Sequence, residues 1–260
     1  MLALSCHGDN TKPALVMLHG FLGDKSDWSD LLRELTQYFY CVCIDLPGHG
    51  KSETMTLETS GFVQVANAIQ LSLSQLNISK YHLLGYSLGG RIAMHIAKLH
   101  YENLLSLNLE SAHPGLINNN DKASRLKNDK QWSYKLSTQT IESFLVDWYQ
   151  QGVFAELSTS AIDNLVEKRR DNHPQSLQSI YLPTSLAQQE NLWQLPNQVE
   201  FVCHYYVGDK DCKFADLAKR WQNVSSIKVH TIKNAGHNVH LAAPASFCQQ
   251  LVYQLIGNHK

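Results

Sequence analysis

YHLLGYSLGGRIAMHIAKLH, from Tyr81 to His100, joins a short apolar run to a segment of helical periodicity through a serine bracketed by glycines. Tyr81 to Gly85 reads as a buried strand, and Ile92, Ala93, Ile96, Ala97 and Leu99 recur at the spacing of one helix face. Between them, Gly85-Tyr86-Ser87-Leu88-Gly89 makes a sharp strand-to-helix turn in which the glycines leave room for the bend and Ser87 Oγ projects above the sheet edge. That is a nucleophile elbow. A bare G-x-S-x-G recurs by chance, so the reading rests on the strand before it and the helix after it.

Working outward, Ala14 to Leu18 (ALVML) is an apolar run suited to a strand buried on both faces, and it ends at His19-Gly20-Phe21-Leu22-Gly23. Asp27 is placed to cap a helix over Trp28 to Tyr38. A strand from Cys41 to Ile44 closes on the Gly/Pro-rich loop Asp45 to Ser52, and Gly61 to Leu76 reads as a helix. Past the elbow, Leu104 to Leu109 is a strand that ends in Glu110-Ser111-Ala112-His113-Pro114-Gly115. Alternation of strand and helix predicts an α/β fold, a mostly parallel central sheet with helical crossovers.

From Ile117 to Trp193 the pattern becomes helical and amphipathic, rich in aromatic residues and without a convincing strand. This predicts a helical cap over residues 117–193, inserted between core segments 1–116 and 194–260. Its aromatic side chains are expected mainly to form the cap's own core. Strands resume at Phe201 to Val207, followed by Gly208-Asp209-Lys210-Asp211, and at Ile227 to Ile232, followed by Asn234-Ala235-Gly236-His237. A helix from about Pro244 to Ile256 closes the pattern.

The 260 residues carry 22 Lys and Arg against 23 Asp and Glu, a formal net charge of −1, which argues against nucleic acid or an anionic membrane as the principal partner. The N-terminus lacks a basic region and meets an acid at Asp9, unlike a signal peptide, and no apolar run has membrane-spanning length; a cytoplasmic protein is the expectation. Six cysteines have no metal-ligand spacing and read as free buried thiols acting as small hydrophobes.

Ser87, Asp211 and His237 each follow a predicted strand, so a parallel sheet brings them to one edge. There His237 takes the Ser87 proton and Asp211 fixes the imidazole tautomer, with Asp209 as the competing acid. Backbone N–H groups of Leu88 and Phe21 are the candidate oxyanion hole. His19 and His49, in glycine-rich loops, are expected to hold loop shape.

HGFLGD, DLPGHGKS, GYSLGGR, GDKD and GHN together resemble the α/β-hydrolase superfamily across essentially the whole chain. The order Ser, Asp, His is that superfamily's, and its G-x-x-D spacing selects Asp211 over Asp209. GYSLGGRIAM, ESAHPGL, DWYQQGVFAEL, TSLAQQ and GDKDCKF extend the likeness through the cap and resemble the 2-succinyl-6-hydroxy-2,4-cyclohexadiene-1-carboxylate synthase family of menaquinone biosynthesis. Ser111-Ala112 stands where that family often has glycines, and the N-terminal strand region is shorter.

The resemblance implies an α/β-hydrolase fold used as a lyase. Pyruvate is eliminated from 2-succinyl-5-enolpyruvyl-6-hydroxy-3-cyclohexene-1-carboxylate, with Ser87 as the general base activated by His237 and Asp211 and with no cofactor and no metal. The substrate carries three carboxylates, which call for arginines. By the same resemblance Arg91, Arg125 and Arg169 would bind them and Tyr86 and Trp148 would contact the substrate, with Lys168 and Arg170 competing with Arg169 for the inward position. The expected partner is this small tricarboxylate, with neither nucleic acid nor membrane, and the expected state is a monomer. The rival readings are a carboxylesterase, thioesterase or C–C bond hydrolase with Ser87 as nucleophile, and a non-catalytic binding protein on the same fold.

Overall fold

The computed structural model describes residues 2–257. The chain runs through β1 (Leu4–His7), β2 (Ala14–Leu18), α1 (Ser29–Leu35), β3 (Tyr40–Ile44), α2 (Phe62–Gln75), β4 (Tyr81–Tyr86), α3 (Leu88–Leu99) and β5 (Leu104–Glu110). Helices α4 (Asn119–Thr138), α5 (Ile141–Tyr149), α6 (Thr159–Arg169), α7 (Pro174–Tyr181) and α8 (Leu195–Gln198) follow without an intervening strand. Then come β6 (Val202–Gly208), α9 (Cys212–Gln222), β7 (Lys228–Ile232), α10 (Val239–Ala242) and α11 (Pro244–Ile256).

The seven strands form one sheet in the order β1-β3-β2-β4-β5-β6-β7, parallel except for β1 against β3. All five residues of β2 and all six of β4 are buried, as the apolar runs require of strands covered on both faces. Alternation sends Val16 and Leu18 to a core formed with Phe62, Ile69, Ile92 and Ile96, and Leu15 and Met17 to a core formed with Leu31, Leu35, Phe247 and Leu251. Helices α2 and α3 therefore cover one face, and α1 and α11 the other. The sequence pattern missed β1, whose four residues are all half-buried and leave no apolar run to read.

Register places the strand ends where chemistry needs them. Leu18 pairs with Gly85, Tyr86 with Glu110, and Glu110 with Tyr206, so the loops after β2, β4, β5 and β6 open on one edge. The chain steps from β2 outward to β3 and returns across the sheet to β4, which makes the loops after β2 and β4 a topological switch point. A third hydrophobic cluster, Leu136, Phe144, Leu145, Tyr149, Phe154 and Leu177, includes Leu22 and packs on Phe21. Helices α4 to α7 thus build a core onto the loop that follows β2. Among the described residues, no helix is long and apolar enough to cross a membrane.

Asp27 does not cap the helix as its position in the sequence suggests. Asp24 caps the preceding 3-10 turn by accepting the Ser26 N–H, and Asp27 lies buried against Arg169 of the cap.

Candidate active site

Ser87 sits at φ 49°, ψ −106°, a backbone strain characteristic of a sharp strand-to-helix turn. Its N–H donates to Glu110 O at 2.9 Å, and Arg91 N–H donates to Ser87 O at 3.0 Å, so the sheet and the first turn of α3 hold the residue from both sides. A side chain at position 89 would meet Leu18 O at 2.2 Å, so only glycine lets α3 start this close to β2. Leu88 opens the helix, so its N–H has no intrahelical acceptor, and among the described residues Phe21 N–H has none either.

Asp211 is fixed by a second task. Its Oδ1 accepts the Phe214 N–H as the N-cap of α9, which leaves Oδ2 to accept from His237 Nδ1 at 2.8 Å. Asp209 is exposed and contacts the sheet through its backbone alone, which settles which acid faces the histidine. Rings of Tyr86, Phe154 and Phe214 surround the imidazole at 5.5, 5.9 and 4.7 Å. With Nδ1 committed to Asp211, Nε2 is the face that can accept a proton. Among the described residues no hydrogen bond joins Ser87 Oγ to His237; such bonds are often long before substrate binds and tighten in the complex.

Ser87 lines a cavity of about 80 Å³ together with Phe21, Leu88, Trp148, Arg91 and Arg125. Arg91 Nη1 donates to Thr184 O at 2.6 Å; burial, and then the Arg125 charge, push its guanidinium below the usual range. Arg125 Nε donates to both oxygens of Asp129 at 2.8 and 2.9 Å. Asp129 also accepts from Tyr181 and Ser185, so one carboxylate faces two guanidinium groups. The cavity keeps a surplus of positive charge, which suits an anion. A larger cleft of about 460 Å³, bordered by Lys25, Lys51 and Lys168, contains neither Ser87 nor these arginines.

Two expected contacts lie elsewhere. Arg169 is the inward member of its trio, but its Nη2 donates to Asp27 at 2.7 Å and it is absent from the cavity wall; Lys168 also pairs with Asp27, and Arg170 pairs with Glu167 at the surface. Tyr86 packs edge-on between His237 and His240, its hydroxyl donates to Asn238, and it too is absent from the wall. Burial, with Glu110 next in effect, pushes its phenol up.

Sequence reasoning passed over Asp129 and the buried pair of Glu110 and His240, and it read Asp27 as a helix cap. Only the first left a signal, four residues after Arg125 on one helix. His19 and His49 do hold loop shape: Nε2 of His19 accepts the Leu46 N–H at 2.9 Å, and Nε2 of His49 accepts the Leu22 N–H at 3.2 Å. The six cysteines are free, but Cys212, the first residue of α9, is exposed and Cys6, on the edge strand β1, is half-buried; the other four are buried, and burial pushes the Cys41 thiol up to about 12.

Residues 15–250 match the alpha/beta hydrolase family. The 2-succinyl-6-hydroxy-2,4-cyclohexadiene-1-carboxylate synthase of Citrobacter koseri is 37% identical over 244 residues, 94% of each chain. The enzyme of the same name from an Enterobacter species is 38% identical over 90% of this chain and 88% of its own. The structure of MenH from S. aureus superposes with a TM-score of 0.90 at 25% identity, covering 99% of both chains. Relatives of this identity and coverage carry the likeness through cap and core alike, and the chain belongs to the 2-succinyl-6-hydroxy-2,4-cyclohexadiene-1-carboxylate synthase family of alpha/beta hydrolases.

Proposed function

We propose that this protein is a carbon–oxygen lyase of menaquinone biosynthesis, which eliminates pyruvate from 2-succinyl-5-enolpyruvyl-6-hydroxy-3-cyclohexene-1-carboxylate and leaves 2-succinyl-6-hydroxy-2,4-cyclohexadiene-1-carboxylate. The observation that carries this reading is the wall of the Ser87 cavity, where Arg91 and Arg125 converge. A hydrolase of neutral esters has no use for two guanidinium groups beside its serine; a substrate with three carboxylates does.

In this reading Ser87 Oγ removes a ring proton as its own proton passes to His237 Nε2, and Asp211 stabilises the imidazolium through Nδ1. Electrons from the broken C–H bond shift through the ring and expel the enolpyruvyl oxygen. The proton held on His237 returns as the enol becomes pyruvate, so atoms balance without water or an acyl-enzyme. Phe21 and Leu88 N–H groups hold the oxygen on which charge develops, a contribution of about 3 kcal/mol for each such donor. Arg91 and Arg125 orient the carboxylates, and Trp148 supplies an apolar wall. The cavity beside Ser87 measures about 80 Å³, below the roughly 300 Å³ of typical ligand pockets.

The deciding experiment is pyruvate release in a lactate dehydrogenase coupled assay on freshly made substrate, beside a panel of p-nitrophenyl and acyl-CoA esters. Fast release with little ester cleavage supports the lyase. Release no faster than the spontaneous rate, with efficient ester or thioester hydrolysis, replaces it with a hydrolase.

A further inference from the structure

The loop from His19 to Gly23 is held partly by its own hydrogen bonds, His19 Nδ1 to Gly20 O at 2.7 Å among them, and partly by side chains that come from elsewhere. Leu22 carries a positive φ of 70°, a conformation that a branched side chain adopts only under constraint. Its N–H donates to His49 Nε2 at 3.2 Å, and its carbonyl accepts from Asn172 Nδ2 at 3.0 Å. Asp27 lies against Gly23, so close that a side chain at position 23 would meet Asp27 Oδ2 at 2.5 Å. Gly23 N–H in turn closes a turn onto Gly20 O at 3.0 Å, around Phe21.

Two of these holds belong to one short segment of the cap. Asn172 reaches Leu22 O, and Arg169 and Lys168 both reach Asp27, at 2.7 and 2.9 Å. Arg169 and Asp27 are each 4% exposed and stand 142 residues apart. Arg169 Nη2 donates to Asp27, Tyr149 lies beside the same guanidinium, and Arg169 is absent from the wall of the Ser87 cavity. Burial alone would raise the Asp27 carboxyl, but Arg169 and then Lys168 outweigh it and hold it below the usual carboxylate range.

We propose that Arg169 is a positioning residue: through Asp27, and together with Asn172, it fixes the strained loop that presents the Phe21 N–H, so that the cap assembles the oxyanion hole. This rests on the reading of the Phe21 N–H as an oxyanion donor. It also gives the cap a catalytic task besides enclosing substrate, because the loop keeps its His49 bond but loses its holds from Asn172 and, through Asp27, from Arg169 when residues 168–172 move away.

The test uses Asp27→Asn, Arg169→Met, the double variant and Asn172→Ala in the full-length protein. Two readouts are taken: steady-state pyruvate release, and the rate at which a fluorophosphonate labels Ser87, which needs the oxyanion hole but no carboxylate site. Asp27→Asn and Arg169→Met are expected to lower kcat and the labelling rate about 10- to 100-fold with KM within about threefold, and the double variant to match either single one. A KM raised by Arg169→Met alone, with labelling and Asp27→Asn unchanged, overturns the proposal and makes Arg169 a carboxylate ligand. If the buried-charge variants do not fold, Asn172→Ala carries the test: labelling slowed about fivefold supports it, and unchanged labelling overturns it. Should wild-type protein release no pyruvate, the labelling rates still decide the proposal while the lyase reading fails on its own.

Discussion

His240 Nδ1 donates to Glu110 at 2.8 Å, and the His240 backbone N–H donates to the same carboxylate at 3.1 Å, with both residues at most 1% exposed. Glu110 also offers its carbonyl to the Ser87 N–H, so one residue at the end of β5 ties the serine's turn to the loop that carries His237 three positions before His240. Trp28 and Tyr86 close over the His240 ring at 4.5 and 5.0 Å. His240→Ala leaves a buried carboxylate without its main partner and is expected to cost about 3 kcal/mol of stability, read by denaturant unfolding. Loss of less than about 1 kcal/mol would show that the pair is dispensable to the fold.

Ser87→Ala is expected to lower kcat at least about 10³-fold, and Ser87→Gly to do the same while raising stability by about 1 kcal/mol, because glycine accepts a φ of 49° without strain. A thermal melt of Ser87→Gly at or below the wild-type midpoint would mean that the elbow stores no strain.

Arg91→Ala and Arg125→Ala are each expected to raise KM for the tricarboxylate about 10- to 100-fold, the worth of a charge-assisted hydrogen bond, and to leave phosphonate labelling of Ser87 near wild type. Equal losses in both assays would place the arginines in the elbow's architecture and not in substrate binding.

Stability should fall on acidification. Burial pushes His49 down to about 3 and His95 down to about 4, and burial also lowers His19. The unfolded chain therefore binds more protons below pH ~6.5, and the contribution of these groups is full above that pH and lost progressively as pH falls toward their folded values. Each contributes a slope of up to about 1.4 kcal/mol per pH unit within the window. Melting temperatures that stay level from pH 7 to pH 4.5 would contradict it.

Much of this molecule was legible from local pattern. The apolar run at Ala14 to Leu18 declared a strand buried on both faces, the run from Tyr81 declared a buried strand, and the strand-turn-helix context around Ser87 declared the elbow, because burial and periodicity are properties of neighbouring residues. The edge strand Leu4–His7 escaped notice because half-burial on every residue leaves no pattern. The order of strands and loops predicts Ser87, Asp211 and His237 at one edge, and the structure pairs His237 with Asp211 at 2.8 Å.

Tertiary structure decided which charges meet. Nothing near Asp27 in sequence distinguishes a helix cap from a buried partner of Arg169, and nothing near Glu110 announces His240, 130 residues on. The same holds for Arg169 on Asp27 and Tyr86 on Asn238, both away from the Ser87 cavity. Residue type fixes what a side chain can bond to, whereas its partner depends on the paths of loops that lie far apart in sequence. Ion pairs and hydrogen bonds act over a few ångströms, so those paths settle the pairing only once the sheet and the cap have packed together.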